Sequence, residues 1–558
     1  MGHTADENRQ LRGRRGSGGN HYGAVGVSSQ QFGEEPKNFR HILLPCLAMW
    51  SITFMGSLDA TIVAMLIGNI SSSFKAADKA SWIGTTFLLS VCCTVPLYGR
   101  LSDLFGRKRS LMLAVIIFTL GTMWCAMASS MFEFLCARTL AGIGSGGLSI
   151  ITSVIMSTLV PLKSRGLFQG MSNVVFGVGV GLGAPVGGLL NDSIGWRGAF
   201  FVQLPVLGLC LASLLFLLPH DESIHFAPGD STWKRIMEVD ILGLSIFAVI
   251  PLSILYALNL ISSQDRSLAD PFVSGSLLCA AIAIFLLYVV ERRARMPLIS
   301  LEVLSLRSCW SSVMANFFLS VMYFSFNYNV PLYFQTVGNM RASSIGMRMI
   351  PASLSVGMGS LLSGFYMKHF GRYYKYCIFC ATGVCVMFSP ALTYFLDPPT
   401  ISPFICYTFM QFCIAGYLTS SLIALIHCVN KKNLAVATGM NYLFRTTGQV
   451  LGVAVSGVIL QKNLLANLRQ RIVGPGAEEL IQQIRQDTTV LSKLPEGVRQ
   501  DAIYSYASAF HSVYIFIFAT CVMALLYTLF IEDKHLDEEH GLVEDLPPPQ
   551  QVNGRTEQ

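Results

Sequence analysis

Beyond the first three residues of the long apolar stretches of this 558-residue chain, one acidic side chain and three Arg side chains are found: Asp59, Arg138, Arg348 and Arg445. An ionisable group in an apolar span costs at least about 2.5 kcal/mol to insert and ordinarily faces a bundle interior or a water-filled path. Asp59 lies about 18 residues into its stretch, or about 27 Å along a helix rising about 1.5 Å per residue. No other acid sits so deep in any stretch. Burial raises a carboxylate's proton affinity and a neighbouring cation lowers it again, so Asp59 could couple protons or meet a cationic substrate. The alternative is a structural carboxylate that bonds Thr61 or a neighbouring helix and never titrates.

Arg138, about six residues into its own stretch, could tune such a carboxylate or hold a substrate carboxylate in its fork of donors. It could also reach back to the interface. Arg445, in Tyr442-Leu443-Phe444-Arg445-Thr446-Thr447-Gly448, lies nearer mid-span, where that escape is harder. Arg348 sits near a helix end, as an interface anchor or a substrate contact. Gln169, Asn173, Asn316, Asn327, Asn329, Gln335, Gln411 and Asn441 could line a hydrated cavity or bond helix to helix. A metal site is not expected, because Cys377-x-x-Cys380 lacks a second pair or a nearby His, and no cofactor is implied. Most of the 15 cysteines lie in apolar stretches and read as packed, reduced thiols.

The elements that must position these residues are membrane helices. Hydrophobic residues make up 52% and charged ones 13%, far below the roughly 25% charged of soluble chains. The +7 net charge is scattered over loops, which argues against nucleic acid. Fourteen runs are long enough to span, at 41–67, 81–99, 110–129, 132–157, 167–190, 198–218, 238–261, 271–290, 308–332, 343–366, 376–395, 402–427, 436–460 and 508–531. Placing both termini in the cytosol puts 25 of the 39 Lys and Arg on cytosolic segments and five on short loops opposite; the long loop 461–507 holds six and the spans three. The fold class is therefore an all-α polytopic membrane protein. Residues 1–40 form a disordered cytosolic tail without a cleavable signal, and 532–558 a second cytosolic tail. Leu480, Ile481 and Ile484 predict a short amphipathic helix in the loop 461–507, on the lumenal side. Sequons at Asn69 and Asn191 hug the membrane, leaving their glycosylation open.

The loop Gly99 to Ser110, with Arg100, Arg107, Lys108 and Arg109, joins the second and third runs. Its glycine and arginine spacing returns 265 residues later, pairing Gly99, Phe105, Gly106 and Arg107 with Gly364, Phe370, Gly371 and Arg372. Two related bundles follow, at 41–218 and 308–531, with an inserted helix pair in 219–307. Asp103 is placed to accept from Arg107 and to meet the positive end of a helix from the other bundle, a latch that holds while the cytosolic side is closed. The second copy carries Lys368 at that position and should latch weakly.

The loop resembles the cytoplasmic signature of the major facilitator superfamily, G-x-L-x-D-x-x-G-R-[RK]-x. Leu58-Asp59-Ala60-Thr61-Ile62-Val63 is similar to the first-helix motif of its fourteen-helix drug:proton antiporter-2 family. Arg138 to Gly147 resembles the fourth-helix motif, and Gly177 through Gly181, Gly183, Pro185, Gly187 and Gly188 the fifth-helix antiporter motif. Trp196-Arg197 precedes the sixth helix as in that family. Together the likeness covers about residues 40 to 532. Within it, Asn329 to Gln335 and Ile345 to Ser353 resemble fungal vacuolar basic amino-acid transporters.

The resemblance implies two six-helix bundles plus the inserted pair, a helix 5 that packs across the bundle interface, and the same latch role for Gly99, Asp103, Gly106, Arg107 and Arg109. It implies a proton-coupled antiporter, a monomer in the vacuolar membrane, moving basic amino acids from the cytosol by alternating access. A plasma-membrane exporter of cationic drugs is the main alternative, and a non-transporting nutrient sensor a second. An enzyme is not expected, since no G-x-x-x-x-G-K-[ST], H-E-x-x-H or G-x-S-x-G motif is present. Without a nucleotide site, an ion gradient must drive any transport.

Overall fold

The computed structural model describes residues 40–74, 80–160, 162–218, 241–263, 266–293, 300–340, 342–392, 402–429, 433–474, 476–486, 491 and 494–535. The predicted tail before residue 40, most of the linker preceding the inserted pair and the tail beyond 535 lie outside them. The first bundle comprises α1 (Arg40–Ser73), α2 (Ala80–Phe105), α3 (Arg107–Met127), α4 (Met131–Leu159), α5 (Leu162–Phe201) and α6 (Gln203–Leu217). After it come α7 (Ile241–Ser263), α8 (Pro271–Arg293) and the short α9 (Leu301–Ser305). The remainder is α10 (Arg307–Thr336), α11 (Ala342–Phe370), α12 (Tyr374–Phe388), α13 (Ser402–His427), α14 (Leu434–Arg471), α15 (Ala477–Gln486) and α16 (Glu496–Leu529).

Among the described residues, each of the fourteen apolar runs overlaps a helix, the run 198–218 being shared between the end of α5 and α6. Among the described residues, 13 stretches are long and apolar enough to cross a membrane, and α11, rich in Ser and Gly, is not one of them.

The repeat is visible in the backbone. Gly106 separates α2 from α3 at φ 93°, and Gly371 separates α11 from α12 at φ 64°. That left-handed conformation is strained for residues with a Cβ, so glycine permits a break of one residue between α2 and α3 and of three residues between α11 and α12. The largest apolar core joins residues between Cys46 and Leu218, and the next joins residues between Ala315 and Ala524. The inserted α7 and α8 pack on each other and against α14 and α2, through Phe247, Leu255 and Leu287 on one side and Cys92, Leu443 and Val450 on the other.

One boundary differs from expectation. The loop predicted over 461–507 is mostly helical, because α14 continues to Arg471 and α16 begins at Glu496. Leu464, Leu465 and Leu468 recur at helical spacing and are buried in the second core, which pulls α14 past its apolar run. Between them α15 buries Ile481 and Ile484, as their spacing predicts.

The two bundles meet along α5 and α11, which run antiparallel. A Cβ built on Gly166 would lie 3.1 Å from Gly364 Cα, one on Gly170 3.1 Å from Leu361 Cα, and one on Gly177 2.9 Å from the Ser353 oxygen. On Gly181 the nearest atom is 3.5 Å away, and on Gly188 nothing lies within 4 Å. The helices are thus in backbone contact at the end carrying the Gly99 and Gly364 loops and part toward the other. Asn173 strengthens the closed end by donating to Ser360 Oγ at 2.6 Å and Thr419 Oγ1 at 3.0 Å.

This closure predicts that Asn173→Cys and Ser360→Cys, combined in a cysteine-free background, cross-link under mild oxidation and stop transport until reduced. Failure to cross-link, read by gel mobility after cleavage between the bundles, would mean that the ends do not meet.

Candidate functional site

Asp59 and Arg138 meet at the centre of the first bundle. Arg138 Nη1 donates to Asp59 Oδ2 at 3.0 Å, and the two side chains are 2% and 0% exposed. The guanidinium also lies 4.3 Å from the centre of the Phe87 ring on α2, so a cation–π contact covers one face. Asp59 Oδ1 and Arg138 Nε are buried without a hydrogen-bond partner. One acceptor and one donor are therefore left unpaired inside the buried site.

Small residues bring α4 close enough for this pairing. A Cβ on Gly142 would lie 2.6 Å from the Phe87 carbonyl oxygen, and one on Gly147 2.5 Å from the Ala114 Cβ of α3. Gly121 of α3 likewise abuts the Ala141 backbone. In a membrane such contacts replace the hydrophobic drive that packs helices in water.

The helix 5 glycines divide between two neighbours. Gly177 and Gly181 face Ser353 of α11 across the bundle interface, whereas Gly183 is pressed against Thr61 and Gly187 lies 3.3 Å from Ile62 Cα in α1. Gly188 faces open space, and Pro185 lies within the helix. The interface role expected of the whole motif thus falls on part of it, because a helix turns about 100° per residue and glycines two apart cannot share one face. Gly183 and Gly187 serve instead to bring α5 against the segment of α1 that carries Asp59.

The other charged candidates stand apart from the pair. Arg445 is half-buried, 5.9 Å from the Tyr442 ring, with no carboxylate within ion-pair reach among the described residues. Arg348, also half-buried, lies 5.5 Å from the Phe404 ring near the start of α11. Neither is joined to Asp59 or Arg138 by any described contact.

Several polar candidates bond between helices. Asn316 donates to Asn441 Oδ1 at 3.0 Å and Ser421 Oγ at 3.1 Å, and Asn329 donates to Ser456 Oγ at 3.1 Å. These three asparagines are buried, Gln169 is half-buried, and Gln335 is exposed near the end of α10.

In the signature loop, Gly99 lies 3.4 Å, as a built Cβ, from Ile150 of α4, and Gly439 of α14 lies 3.3 Å from the same methyl. Arg107 donates to Thr158 Oγ1 at 2.7 Å, and Arg109 is exposed. The Asp103 side chain, and with it the expected latch contact, lies outside the described residues. Lys108 was not singled out by its spacing, yet its buried Nζ donates to the Leu215 and Leu218 carbonyls at 2.9 and 2.6 Å, capping the end of α6. Phe87 was also missed, since one aromatic in an apolar run carries no signal of its own.

Helical bundles that close on each other at one end, with an ion pair buried beside the interface helix, define a membrane transporter. The chain belongs to the Major Facilitator Superfamily, whose family model matches residues 49–453. It is 36% identical to the multidrug resistance protein fnx1 of Schizosaccharomyces pombe, over 83% of this chain and 87% of that protein. It is 31% identical to vacuolar basic amino acid transporter 1 of Saccharomyces cerevisiae, over 75% of this chain and 78% of that one. Among solved structures, the proton:xylose symporter XylE superimposes with a TM-score of 0.54 at 15% identity, covering 89% of this chain and 98% of its own. The protein is thus a multi-pass membrane transporter and not an enzyme.

Removing one partner of a buried ion pair strands the other charge at a cost of about 3–5 kcal/mol. Arg138→Leu should lower the thermal midpoint of the purified protein markedly, and Asp59→Leu added to it should restore most of the loss. Equal destabilisation by the single and double variants would show that the charges are not coupled.

Proposed function

We propose that the chain is a proton-coupled antiporter that moves basic amino acids from the cytosol into an acidic vacuole. The observation that carries this reading is the Asp59–Arg138 pair, with Asp59 Oδ1 unpartnered and the side chain fully buried. Protonation at Oδ1 would neutralise Asp59 and release Arg138 from the ion pair, while loss of the proton restores it. Each proton bound or released therefore changes what holds α1 to α4, and α1 is the helix against which Gly183 and Gly187 of α5 are packed. A titration at one carboxylate can thereby bias the α5–α11 interface on which closure depends.

The loop end of the bundles, cytosolic by the distribution of Lys and Arg, is the closed end. An arrangement closed there and parted opposite is the one that would load protons from an acidic lumen and release cargo into it. The likeness to a vacuolar basic amino acid transporter supports the cargo and the compartment. The likeness to a multidrug resistance protein favours a second reading, export of cationic drugs through the same proton cycle.

Vacuolar-membrane vesicles carrying the protein should take up Lys, Arg or His when acid inside and stop when the gradient is collapsed. Asp59→Asn, which keeps the shape and cannot ionise, should reduce that uptake to background. Uptake by Asp59→Asn at the wild-type rate would remove the carboxylate from the mechanism, and uptake of drugs alone would select the second reading.

A further inference from the structure

The second bundle holds a polar cluster that none of the preceding roles uses. Tyr323 and Asn327 lie one turn apart on α10, and Tyr407 and Gln411 one turn apart on α13. Asn327 Nδ2 donates to the Tyr323 carbonyl at 3.0 Å. Tyr407 Oη donates to Asn327 Oδ1 at 2.6 Å. Gln411 Nε2 in turn donates to Tyr407 Oη at 3.0 Å and to Tyr323 Oη at 3.4 Å. Gln411 is 5% exposed, and its Oε1 has no hydrogen-bond partner.

The direction of every bond in this chain is dictated by its first member. A backbone carbonyl can only accept, so the Asn327 amide nitrogen must face Tyr323 and its oxygen must face Tyr407. The single Tyr407 proton is then committed to Asn327, and the Tyr407 oxygen must accept from Gln411. This fixes the Gln411 amide with its nitrogen inward, and its oxygen is left as a buried acceptor that no amide flip can satisfy. An unpaired buried acceptor carries a free-energy penalty that is recovered when a donor arrives.

We propose that Gln411 Oε1, on the amide whose nitrogen is bonded to the Tyr323 and Tyr407 hydroxyls, is the subsite for the side-chain ammonium of the transported amino acid. A carbonyl-type acceptor holds an ammonium by hydrogen bonding, without a fixed negative charge. Tyr323 and Asn327 are only half-buried, which leaves the cluster reachable from the α10 side. Asn327 lies about 30 Å along α10 and Asp59 about 28 Å along α1, at about 1.5 Å per residue. Both helices are the first of their bundles and start from the same end, so the subsite and the ion pair stand at one depth in opposite bundles. Cargo charge and proton then have separate seats, and Asp59 need not trade one for the other. The proposal rests on the basic amino-acid reading for its choice of ligand.

Binding to the purified full-length protein separates the two. Lysine should bind wild type at least tenfold tighter than norleucine, which has the same carbon chain without the ammonium. Gln411→Leu should weaken lysine about tenfold or more while leaving norleucine unchanged, the size of one charge-assisted bond. Gln411→Glu, which keeps the shape and adds a charge, should tighten lysine above wild type. Wild type that does not distinguish the two ligands, Gln411→Leu that binds lysine normally, or Gln411→Glu without a gain would each overturn the subsite. Should Gln411→Leu not fold, the Gln411→Glu measurement decides alone. Intact lysine discrimination without gradient-driven uptake would sink the antiport reading and leave the subsite standing.

Discussion

A charge buried in a membrane protein has to find a polar or charged partner, and the geometry of this molecule is organised around one ion pair. Asp59 and Arg138 sit on different helices at 3.0 Å, with almost no exposure. Holding them there requires α1, α2, α3 and α4 to approach more closely than large side chains would permit. The glycines at 121, 142 and 147 and the Gly183–Thr61 contact supply that proximity. The pair is bonded at one carboxylate oxygen and unpartnered at the other.

Closure of the bundles obeys a related constraint. Where α5 crosses α11, glycine meets backbone at Gly166, Gly170 and Gly177, and the contact loosens only at Gly181 and Gly188. Contacts this short tolerate little continuous deformation, since added atoms would overlap main chain. Rocking about this seam is therefore compatible with two packed arrangements more readily than with a graded series. The Asn173 bonds to Ser360 and Thr419 tie one of those arrangements shut, at a point where three helices from both bundles converge.

Much of this was legible in the residues. Runs of apolar side chains gave the helices, Asp59 and Arg138 stood out as deep charges whose pairing was one of several readings, and the 265-residue echo located both glycine turns. The latter are confirmed by positive φ at Gly106 and Gly371. Helix ends were harder, because Leu464, Leu465 and Leu468 continue α14 on core packing that hydropathy alone does not register. The split of the helix 5 glycines between α1 and α11 was not readable from a glycine count, since it depends on which neighbour each face meets. Least legible was Gln411, whose vacant oxygen follows from a bond sequence beginning at the Tyr323 carbonyl on another helix.

The inserted pair α7 and α8 lies against α2 and α14, the second place where the bundles touch. There Cys92 of α2 and Thr447 of α14 stand 3.3 Å apart. One lateral seam of the transporter thus wears a two-helix sleeve, while among the described residues the α5–α11 seam has none. Sideways leakage from the bilayer would have to pass glycine contacts on one flank and an added helical wall on the other. The pathway is left with its axis as the way in and out.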